Sequence, residues 1–484
     1  MRKYFGTDGI RRIANTELSP ELVYRVAKAG AYALAKHSNH APTILIGRDT
    51  RISGTLIESA MTAGFLSYGA NVKSLGVIPT PGVAYLTKKL KADASVVISA
   101  SHNTYEFNGV KYFSNKGMKI PDEIEEEIEE MMDSEKLDDF TAVNDKIGTA
   151  EVRTDLLDEY VYFFRKNFEE EFENYDTNNF VVAIDTANGA TSVVAEKVFT
   201  ALGIKHYIMN NTPNGVNINE NCGSTHLDML KKYVVENNCN LGIAYDGDGD
   251  RCLTVDEKGN EIDGDKLLAI ISNYMKEKGT LKNDTVVATV MSNLGLKKYA
   301  ENNKLNFVQT KVGDRYVLEE MLKNGYNIGG EQSGHIIFLD YNPTGDGILT
   351  SLMLIRVMLE KQKSASELCN IIKMYPQVLV NAKVSSEKKN LYKEDSEIQG
   401  EIEKLEKEFS GNGRVLIRPS GTEPLIRVMI EGEDQNYIKE KAETLFLCSL
   451  LRKYTSEGRA FIDFAGNSDG SLMGFHDPLD HGQP

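Results

Sequence analysis

The stretch Ser95-Val-Val-Ile-Ser-Ala-Ser101-His-Asn103 joins an apolar run to a polar turn. The β-branched residues of the run predict a buried strand, which ends where the small and polar residues begin. A second apolar segment starts only after Asn108-Gly109, a pair that is typical of turns. We therefore expect the Ser101 hydroxyl on a loop at the carboxyl end of a strand, the edge at which open α/β sheets bind ligands.

Three interpretations of Ser101 are open from this stretch alone. It could belong to a polar loop without chemistry, to a nucleophile elbow, or to a loop whose serine carries a phosphoryl group. The elbow is disfavoured because the glycines of G-x-S-x-G are absent around Ser101. A phosphoryl carrier would need a metal, cationic groups for phosphate and a polar sugar pocket elsewhere in the chain.

The composition is that of a globular protein with several domains. The chain has 484 residues, of which 41% are hydrophobic and 26% are charged. This length is too great for one ordinary core and predicts three or four domains. The formal net charge of −16 argues against nucleic acid as a partner, because binding to its backbone needs a basic surface.

The cysteines and the apolar stretches predict a cytoplasmic location. The five cysteines contain no C-x-x-C pair, which favours reduced thiols over a disulfide framework or a zinc ribbon. No apolar run follows the basic residues of the first six positions, so a signal peptide is not predicted. No stretch approaches the ~20 apolar residues of a membrane span, so membrane insertion is not expected.

Strands alternate with helices along most of the chain, which predicts three α/β units. One acidic helix is predicted after Pro121, and we expect its charges to form a solvated face. The last unit differs, because two strands at 414–417 and 425–430 flank a turn. The predicted bounds are 1–152, 153–256 and 257–370 for three α/β domains, 371–453 for an α+β domain, and 454–484 for an accessory or disordered tail.

Asp246, Asp248 and Asp250 alternate with glycines directly after the apolar run 241–245. The glycines allow a tight turn, so three carboxylates can converge on a hard cation such as Mg²⁺. An acidic turn without a metal is the plain alternative. An EF-hand is excluded, because Arg251 takes the place of the loop glycine and a strand precedes the loop where a helix is needed. Arg251 is instead expected to meet a phosphate beside the metal.

Two further loops carry groups that suit a sugar phosphate. The turn from Arg418 to Thr422 offers a guanidinium, two hydroxyls and backbone N–H groups, with Arg427 on the returning strand. The loop from Glu331 to His335 offers donors and acceptors for hydroxyl groups. An ordinary hairpin turn and an ordinary polar loop are the alternatives. Additional positive charge is available from Arg11, Arg48 and Arg51, although arginines of this kind are more often exposed on the surface.

Together these stretches resemble the α-D-phosphohexomutase superfamily from residue 4 to about 453. Ser-Ala-Ser101-His-Asn is similar to its phosphoserine loop, Asp246-Gly-Asp-Gly-Asp250-Arg to its magnesium loop, and Arg418-Pro-Ser-Gly-Thr-Glu-Pro to its phosphate-binding loop. These signatures occur in the order that the superfamily has. The resemblance implies three similar α/β domains with mixed sheets and a smaller C-terminal α+β domain around a central active-site cleft.

The resemblance also implies a role for each matching residue. Ser101 would carry the phosphoryl group and help to bind Mg²⁺, and Lys111 and His335 are alternative groups for proton transfer. The remaining predicted site residues fall into four sets: Asp246, Asp248 and Asp250 for the metal, with Arg251 as a catalytic group beside it; Glu331 and Ser333 for the sugar; Arg418, Ser420, Gly421, Thr422 and Arg427 for the phosphate that is not reacting; and Thr7, Arg11, His102 and Asn103 elsewhere in the site.

Within the superfamily, the stretches Phe5–Arg11, Lys311–Arg315 and Gly330–His335 are most similar to the members that act on glucosamine phosphates. Gln332 stands where phosphomannomutases and phosphoglucomutases usually have methionine. The implied reaction interconverts glucosamine 6-phosphate and glucosamine 1-phosphate, with glucosamine 1,6-bisphosphate or another hexose 1,6-bisphosphate as activator. A homodimer is possible. The alternatives are a phosphomannomutase or phosphoglucomutase of the same mechanism, a non-catalytic sugar-phosphate sensor, and a divalent-cation buffer.

Overall fold

The computed structural model describes residues 3–6, 8–35, 39–384, 391–419, 425–445 and 463–464. The chain divides into two compact units. The first comprises residues 1–292 and 303–371, and the second comprises residues 293–302 and 372–484. In the described part of the chain, three β-sheets belong to the first unit and one to the second.

The first sheet has six strands in the order β1-β5-β4-β2-β3-β6. Strands β2, β3, β4 and β6 run parallel, whereas β5 runs antiparallel to β1 and β4. Helices contribute to cores on both faces, so every residue of β4 is buried. The strands are β1 (Ile10–Ile13), β2 (Thr43–Arg48), β3 (Asn71–Val77), β4 (Ala94–Ile98), β5 (Phe107–Ser114) and β6 (Ala150–Val152), and the helices are α1 (Pro20–Ala35), α2 (Gly54–Tyr68), α3 (Thr80–Leu90) and α4 (Asp122–Asp133).

The second and third sheets are also mixed, with orders β11-β10-β9-β7-β8 and β13-β12-β14-β15. Their strands are β7 (Val181–Asp185), β8 (Lys205–Met209), β9 (Leu241–Tyr245), β10 (Cys252–Asp256), β11 (Glu261–Ile262), β12 (Thr285–Thr289), β13 (Asn306–Thr310), β14 (Ile328–Gly330) and β15 (Ile336–Phe338). The helices of this region are α5 (Leu157–Phe172), α6 (Ala195–Ala201), α7 (Asp228–Glu236), α8 (Gly264–Glu277), α9 (Leu294–Asn302, part of the second unit), α10 (Asp314–Asn324), α11 (Gly347–Lys361) and α12 (Ala365–Cys369).

The second unit is built on an antiparallel sheet in the order β17-β18-β16-β19. Its elements are β16 (Gln377–Lys383), α13 (Ser396–Phe409), β17 (Arg414–Pro419), β18 (Leu425–Glu431), α14 (Gln435–Leu445) and β19 (Asp463–Phe464). Val380, Val428 and Ile438 lie in its core. Strand β19, which pairs with β16, falls in the predicted tail.

The predicted fold class is confirmed, because three mixed α/β sheets precede a smaller α+β unit. The strands expected at 95–98 and 241–245 also form as predicted. The domain bounds and the central cleft stay predictions. Among the described residues, no helix combines the length and apolar character that crossing a membrane requires.

The expectation that the charges of α4 form a solvated face is wrong for Glu129. Its side chain is buried, and its carboxylate accepts hydrogen bonds from the backbone N–H groups of Lys3 (2.8 Å), Tyr4 (2.6 Å) and Phe5 (2.7 Å). A carboxylate suits such a set of convergent amides. Glu129 therefore holds the chain segment that leads into Asp8.

Asp346 caps the buried helix α11 from a site without solvent exposure. Its carboxylate accepts hydrogen bonds from the backbone N–H of Leu349 (3.0 Å) and the hydroxyl of Tyr160 (2.8 Å). Burial nevertheless raises the pKa of Asp346 to about 6. Ionisation of this group in the folded state therefore costs free energy that its ionisation in the unfolded chain does not.

We predict that this cost makes the folded protein less stable as pH rises. The unfolded carboxyl ionises near pH 4 and the folded one only near pH 6. The stabilising contribution of the protonated form is complete below about pH 4 and is lost as pH rises through about 6. Asp346→Asn removes this titration. The free energy of unfolding of the wild type minus that of the variant should therefore decrease as pH rises from about 4 to about 7. Urea unfolding at several pH values measures it, and a pH-independent difference would contradict the assignment.

Candidate active site

Ser101 lies on the loop that follows β4 and is almost completely buried. Its backbone has a positive φ of 50°, a left-handed conformation that is unusual for a residue other than glycine. Its N–H donates to Ser99 Oγ at 2.9 Å, and its own hydroxyl donates to Asp246 Oδ2 at 2.6 Å. The predicted serine loop therefore meets the predicted aspartate loop directly.

The backbone of the serine loop is held by two side chains from outside it. Arg51 Nη2 donates to the carbonyl oxygens of Ser101 (3.0 Å) and Asn103 (2.8 Å). Asn219 Nδ2 donates to the same two oxygens at 2.9 and 2.8 Å. Arg51 is fully buried and also binds Asp49, so its expected exposure on the surface is wrong. Asn219 was missed, since its asparagine-rich loop carries no signal in the sequence beyond that of a turn.

The three aspartates after β9 converge as predicted. Their ligand atoms all lie within 4.8 Å of one another, and all three residues are buried. Asp248 Oδ1 and Asp250 Oδ1 have no hydrogen-bond partner among the described residues, which suits atoms that bind a cation. The donor set of carboxylate oxygens fits Mg²⁺.

Glycine is needed at Gly247 because the two loops approach closely. A Cβ atom at this position would lie 2.5 Å from the carbonyl oxygen of Ser101, well inside van der Waals contact. Gly249 has φ of 72°, which other residues rarely adopt. The alternation of aspartate with glycine therefore serves both the turn and the approach to the serine.

The electrostatics of the aspartate loop differ from one carboxyl to the next. Burial, together with the neighbouring carboxylates of Asp250 and Asp248, raises the pKa of Asp246 well above its usual range. Burial acts in the same sense on Asp248, but Lys111 and the hydroxyl of Thr80 lower its pKa below the ordinary value. Lys111 Nζ lies 3.0 Å from Asp248 Oδ2, and Thr80 Oγ1 lies 2.7 Å from it. The loop thus needs more positive charge than these contacts supply.

The structure brings both candidate proton-transfer groups to one oxygen atom. Lys111 Nζ lies 3.7 Å and His335 Nε2 lies 3.9 Å from Asp250 Oδ2. Burial disfavours the charge on Lys111, but Asp248 and Asp8 raise its pKa above the ordinary value. His335 is buried, and neither of its ring nitrogens has a hydrogen-bond partner among the described residues. His335 thus differs from Lys111, which forms ion pairs with Asp248 and Asp8 at 3.0 and 3.1 Å.

The predicted sugar loop connects β14 and β15 and lies beside this cluster. Glu331 Oε1 accepts a hydrogen bond from the backbone N–H of Gly313 at 3.1 Å, and burial and Asp314 raise the pKa of Glu331. Ser333 is partly buried on the same loop. Arg251 donates its backbone N–H to Asp246 Oδ1 at 3.2 Å, and its guanidinium lies 4.0 Å from Asp250. The positive charge of Arg251 therefore lies beside the aspartates, and its contact with a phosphate stays a prediction.

The remaining residues predicted for the site in the first unit also gather here. Arg11 donates to Asn103 Oδ1 and to Asp8 Oδ2, each at 3.0 Å. His102 Nδ1 lies 3.4 Å from the hydroxyl of Ser101. Burial and the charge of Arg251 lower the pKa of His102 well below its usual range. Thr7 lies outside the described residues.

The second unit holds the residues predicted to bind phosphate. Arg418 on β17 and Arg427 on β18 occupy directly paired positions, so their side chains leave the sheet on the same face. Two guanidinium groups side by side suit a phosphate. The turn between them, with Ser420, Gly421 and Thr422, lies outside the described residues.

Comparison with known proteins assigns the chain to a family. Its segments match four domains of the phosphoglucomutase/phosphomannomutase family in order: alpha/beta/alpha domain I at residues 2–139, domain II at 158–259, domain III at 263–375 and the C-terminal domain at 379–447. The chain belongs to the phosphoglucomutase/phosphomannomutase family. The resemblance noted in the sequence is thereby confirmed, and so is the prediction of a phosphohexomutase enzyme.

Relatives within this family match almost the whole chain. Phosphoglucosamine mutase of Clostridium beijerinckii is 52% identical over 449 residues, which cover 92% of this chain and 98% of the relative. Phosphoglucosamine mutase of Clostridium tetani is 52% identical over 455 residues, which cover 94% and 100%.

Solved structures of the family share the fold at low sequence identity. A phosphoglucomutase/phosphomannomutase family protein from Burkholderia thailandensis has a TM-score of 0.77 at 19% identity, with 93% of this chain and 98% of that chain covered. An N-acetylphosphoglucosamine mutase from Aspergillus fumigatus, in complex with GlcNAc-6P and magnesium, has a TM-score of 0.67 at 16% identity, with 92% and 95% covered.

We predict that Arg51 is required for the stability of the serine loop and of the fold around it. Arg51→Met leaves Asp49 buried without its partner and should lower the free energy of unfolding by about 3–5 kcal/mol. Arg48→Met is the matched control, because the ion pair of Arg48 with Glu58 (2.9 Å) is partly exposed and should contribute about 1 kcal/mol or less. Urea unfolding compares the two variants. Equal losses would show that Arg51 has no special role.

Proposed function

We propose that this protein interconverts glucosamine 6-phosphate and glucosamine 1-phosphate through a phosphoserine at position 101. The observation that carries the proposal is the 2.6 Å hydrogen bond from the Ser101 hydroxyl to Asp246 inside a cluster of three buried aspartates. It joins a group that can carry a phosphoryl unit to a set of ligands that can hold Mg²⁺. The phosphoglucosamine mutases that are 52% identical to the chain support the amino sugar as substrate.

Each half-reaction moves one phosphoryl group. The phosphoserine transfers its phosphoryl group to the free hydroxyl of glucosamine 6-phosphate, so that the Ser101 oxygen leaves and a 1,6-bisphosphate forms. The bisphosphate then reorients, and the phosphoryl group on its 6-oxygen returns to Ser101, so that the 6-oxygen leaves and glucosamine 1-phosphate is released. Asp246, Asp248 and Asp250 would hold Mg²⁺, which supplies positive charge to the transferring group when bound.

Proton transfer is assigned to His335 and electrostatic support to Lys111. A proton leaves the attacking hydroxyl in the first half-reaction, and His335 has a ring nitrogen available to take it. The ion pairs of Lys111 keep its charge beside the aspartates. Arg251 adds a second positive charge there.

Sugar and phosphate contacts follow from the remaining loops. Glu331 and Ser333 bind sugar hydroxyls, and Thr7, Arg11, His102 and Asn103 are further residues of the site. The phosphate that does not react is bound by Arg418, Ser420, Gly421, Thr422 and Arg427, which grip either phosphate alike and so allow one site to serve both half-reactions.

Several finer points belong to the same proposal. Glucosamine 1,6-bisphosphate or another hexose 1,6-bisphosphate would phosphorylate Ser101 and so activate the enzyme. The proposal also includes the domain bounds predicted from the sequence, a cytoplasmic location and a possible homodimer.

The experiment is ³¹P NMR of the protein with Mg²⁺, a trace of hexose 1,6-bisphosphate and glucosamine 6-phosphate, with mannose and glucose 6-phosphates in parallel samples. An anomeric phosphate signal that grows fastest from the amino sugar is expected. Faster conversion of mannose 6-phosphate or glucose 6-phosphate would support the same mechanism with one of these hexose phosphates as the substrate, in agreement with the family description. No conversion of any of the three sugars by a phosphorylated, Mg²⁺-loaded protein would favour a sensor.

We predict that Ser101→Ala abolishes this conversion, by at least about 1,000-fold, because no oxygen remains to carry the phosphoryl group. Intact-mass measurement after incubation with the bisphosphate should show one added phosphoryl group in wild type and none in the variant. Ser59→Ala, at an exposed position of α2, is the control and should behave as wild type. A phosphorylated and active Ser101→Ala protein would remove the phosphoserine from the mechanism.

A further inference from the structure

Lys119 lies beyond the end of β5 and bridges two carboxylates that come from different parts of the first unit. Its Nζ forms ion pairs with Asp8, near the start of the chain, and with Asp314 Oδ2 at 2.7 Å, at the beginning of α10. The side chain of Lys119 is only 14% exposed. The side chains of Asp8 and Asp314 are 28% and 16% exposed, and the ammonium group of Lys119 offsets part of the negative charge of each.

The two partners of Lys119 also contact the two groups discussed for proton transfer. Asp8 Oδ2 lies 3.1 Å from Lys111 Nζ, and Asp314 Oδ2 lies 3.5 Å from His335 Nε2. Lys111 and His335 in turn approach the same oxygen of Asp250. The contacts therefore form a ring of six side chains, in which carboxylates alternate with lysine or histidine, that begins and ends at Asp250, with Lys119 on the side opposite to it.

Lys119 is suited to stabilise the positions of its carboxylate partners and not to transfer a proton. Burial disfavours its charge, but Asp314 and Asp8 raise its pKa above the ordinary value, so it stays protonated. Its ion-pair partners are the two carboxylates that hold Lys111 and His335. Removing Lys119 would take away the positive charge between these two partly exposed carboxylates, which would then repel each other and move apart.

We propose that Lys119 is a positioning residue that keeps Lys111 and His335 at the same oxygen of Asp250 by holding Asp8 and Asp314 in place. This inference rests on the proposed function, because it concerns the positions of side chains in the phosphoryl-transfer site. A displacement of about 1 Å in such a site lowers the rate of the chemical step by roughly 100-fold.

A neighbouring ion pair provides a matched control. Arg315, the residue after Asp314, pairs with Asp122 at the start of α4. Like the contact between Lys119 and Asp314, this ion pair joins the segment after β5 to α10, but neither of its members belongs to the ring. A role of Lys119 in holding the segments together would be shared by Arg315. A role in positioning Lys111 and His335 would not.

The kinetic experiment compares Lys119→Met with Arg315→Met in the glucosamine 6-phosphate assay. Lys119→Met should lower kcat by about 10- to 100-fold and leave KM within about threefold, whereas Arg315→Met should leave both within about twofold. Lys119→Arg, which keeps the charge, should recover part of the loss. Equal kcat values for Lys119→Met and wild type, or equal losses in the two methionine variants, would overturn the proposal.

A double-mutant cycle tests whether Lys119 acts through Asp314. Asp314→Asn removes the carboxylate that is left unpaired in Lys119→Met. The double variant should therefore lose less activity than the product of the two single losses. Losses that multiply would show that Lys119 does not act through Asp314.

A spectroscopic readout separates this inference from the proposed function. The ring signals of His335 are recorded in protein labelled with ¹³C and ¹⁵N at histidine and are assigned by their loss in His335→Gln. They should shift in Lys119→Met but not in Arg315→Met, and Lys119→Gln takes the place of the methionine variant if that variant does not fold. Unchanged signals, or an equal shift in Arg315→Met, would overturn the inference. This measurement decides it even if the wild-type protein converts no sugar phosphate.

Discussion

Three carboxylates are buried within 4.8 Å of one another, and this concentration of negative charge governs the structure around it. Like charges at such a distance in a region withdrawn from water are costly unless cations offset them. The protein supplies Lys111 and Arg251 at the loop itself. Burial and its neighbours raise the pKa of Asp246, and Asp248 Oδ1 and Asp250 Oδ1 have no hydrogen-bond partner among the described residues, so the cluster could accept a further cation such as a divalent metal ion.

The same charge cluster explains why rigid elements surround it. Asp246 follows β9, Ser101 follows β4 and His335 precedes β15, so each functional group lies at the end of a buried strand. Strand ends are well suited to this task because the sheet fixes their position while the next residues stay free to turn. The close approach of Gly247 to the serine loop then brings two of these ends into direct contact.

Outside the aspartate loop, the site is stabilised by side chains that do not take part in chemistry. Arg51 and Asn219 hold the carbonyl oxygens of the serine loop, and Lys119 holds two carboxylates between the first and third sheets. Each of these contacts satisfies a buried polar group that would otherwise be costly. The active site therefore depends on a set of buried charges and amides that is larger than its list of reacting groups.

Much of the site could be predicted from the sequence because its groups are local. Ser101, the three aspartates and the loop at Glu331 each lie in a short segment in which an apolar run meets polar and glycine residues, so both the strand and the polar group that follows it can be identified in one stretch. The fold class follows for the same reason, since the alternation of strands and helices depends on local periodicity. The paired positions of Arg418 and Arg427 follow from the hairpin that connects them.

Only the tertiary structure decided the contacts between segments that are distant in the chain. Glu129 belongs to a run of glutamates that would ordinarily face water, yet it binds the backbone of residues 3–5. Arg51 is one of several arginines near the start of the chain, and Asn219 and Lys119 have no distinguishing pattern around them. Their roles arise because a buried charge or amide must find a partner wherever the fold brings one near, and no local pattern records which distant residue that is.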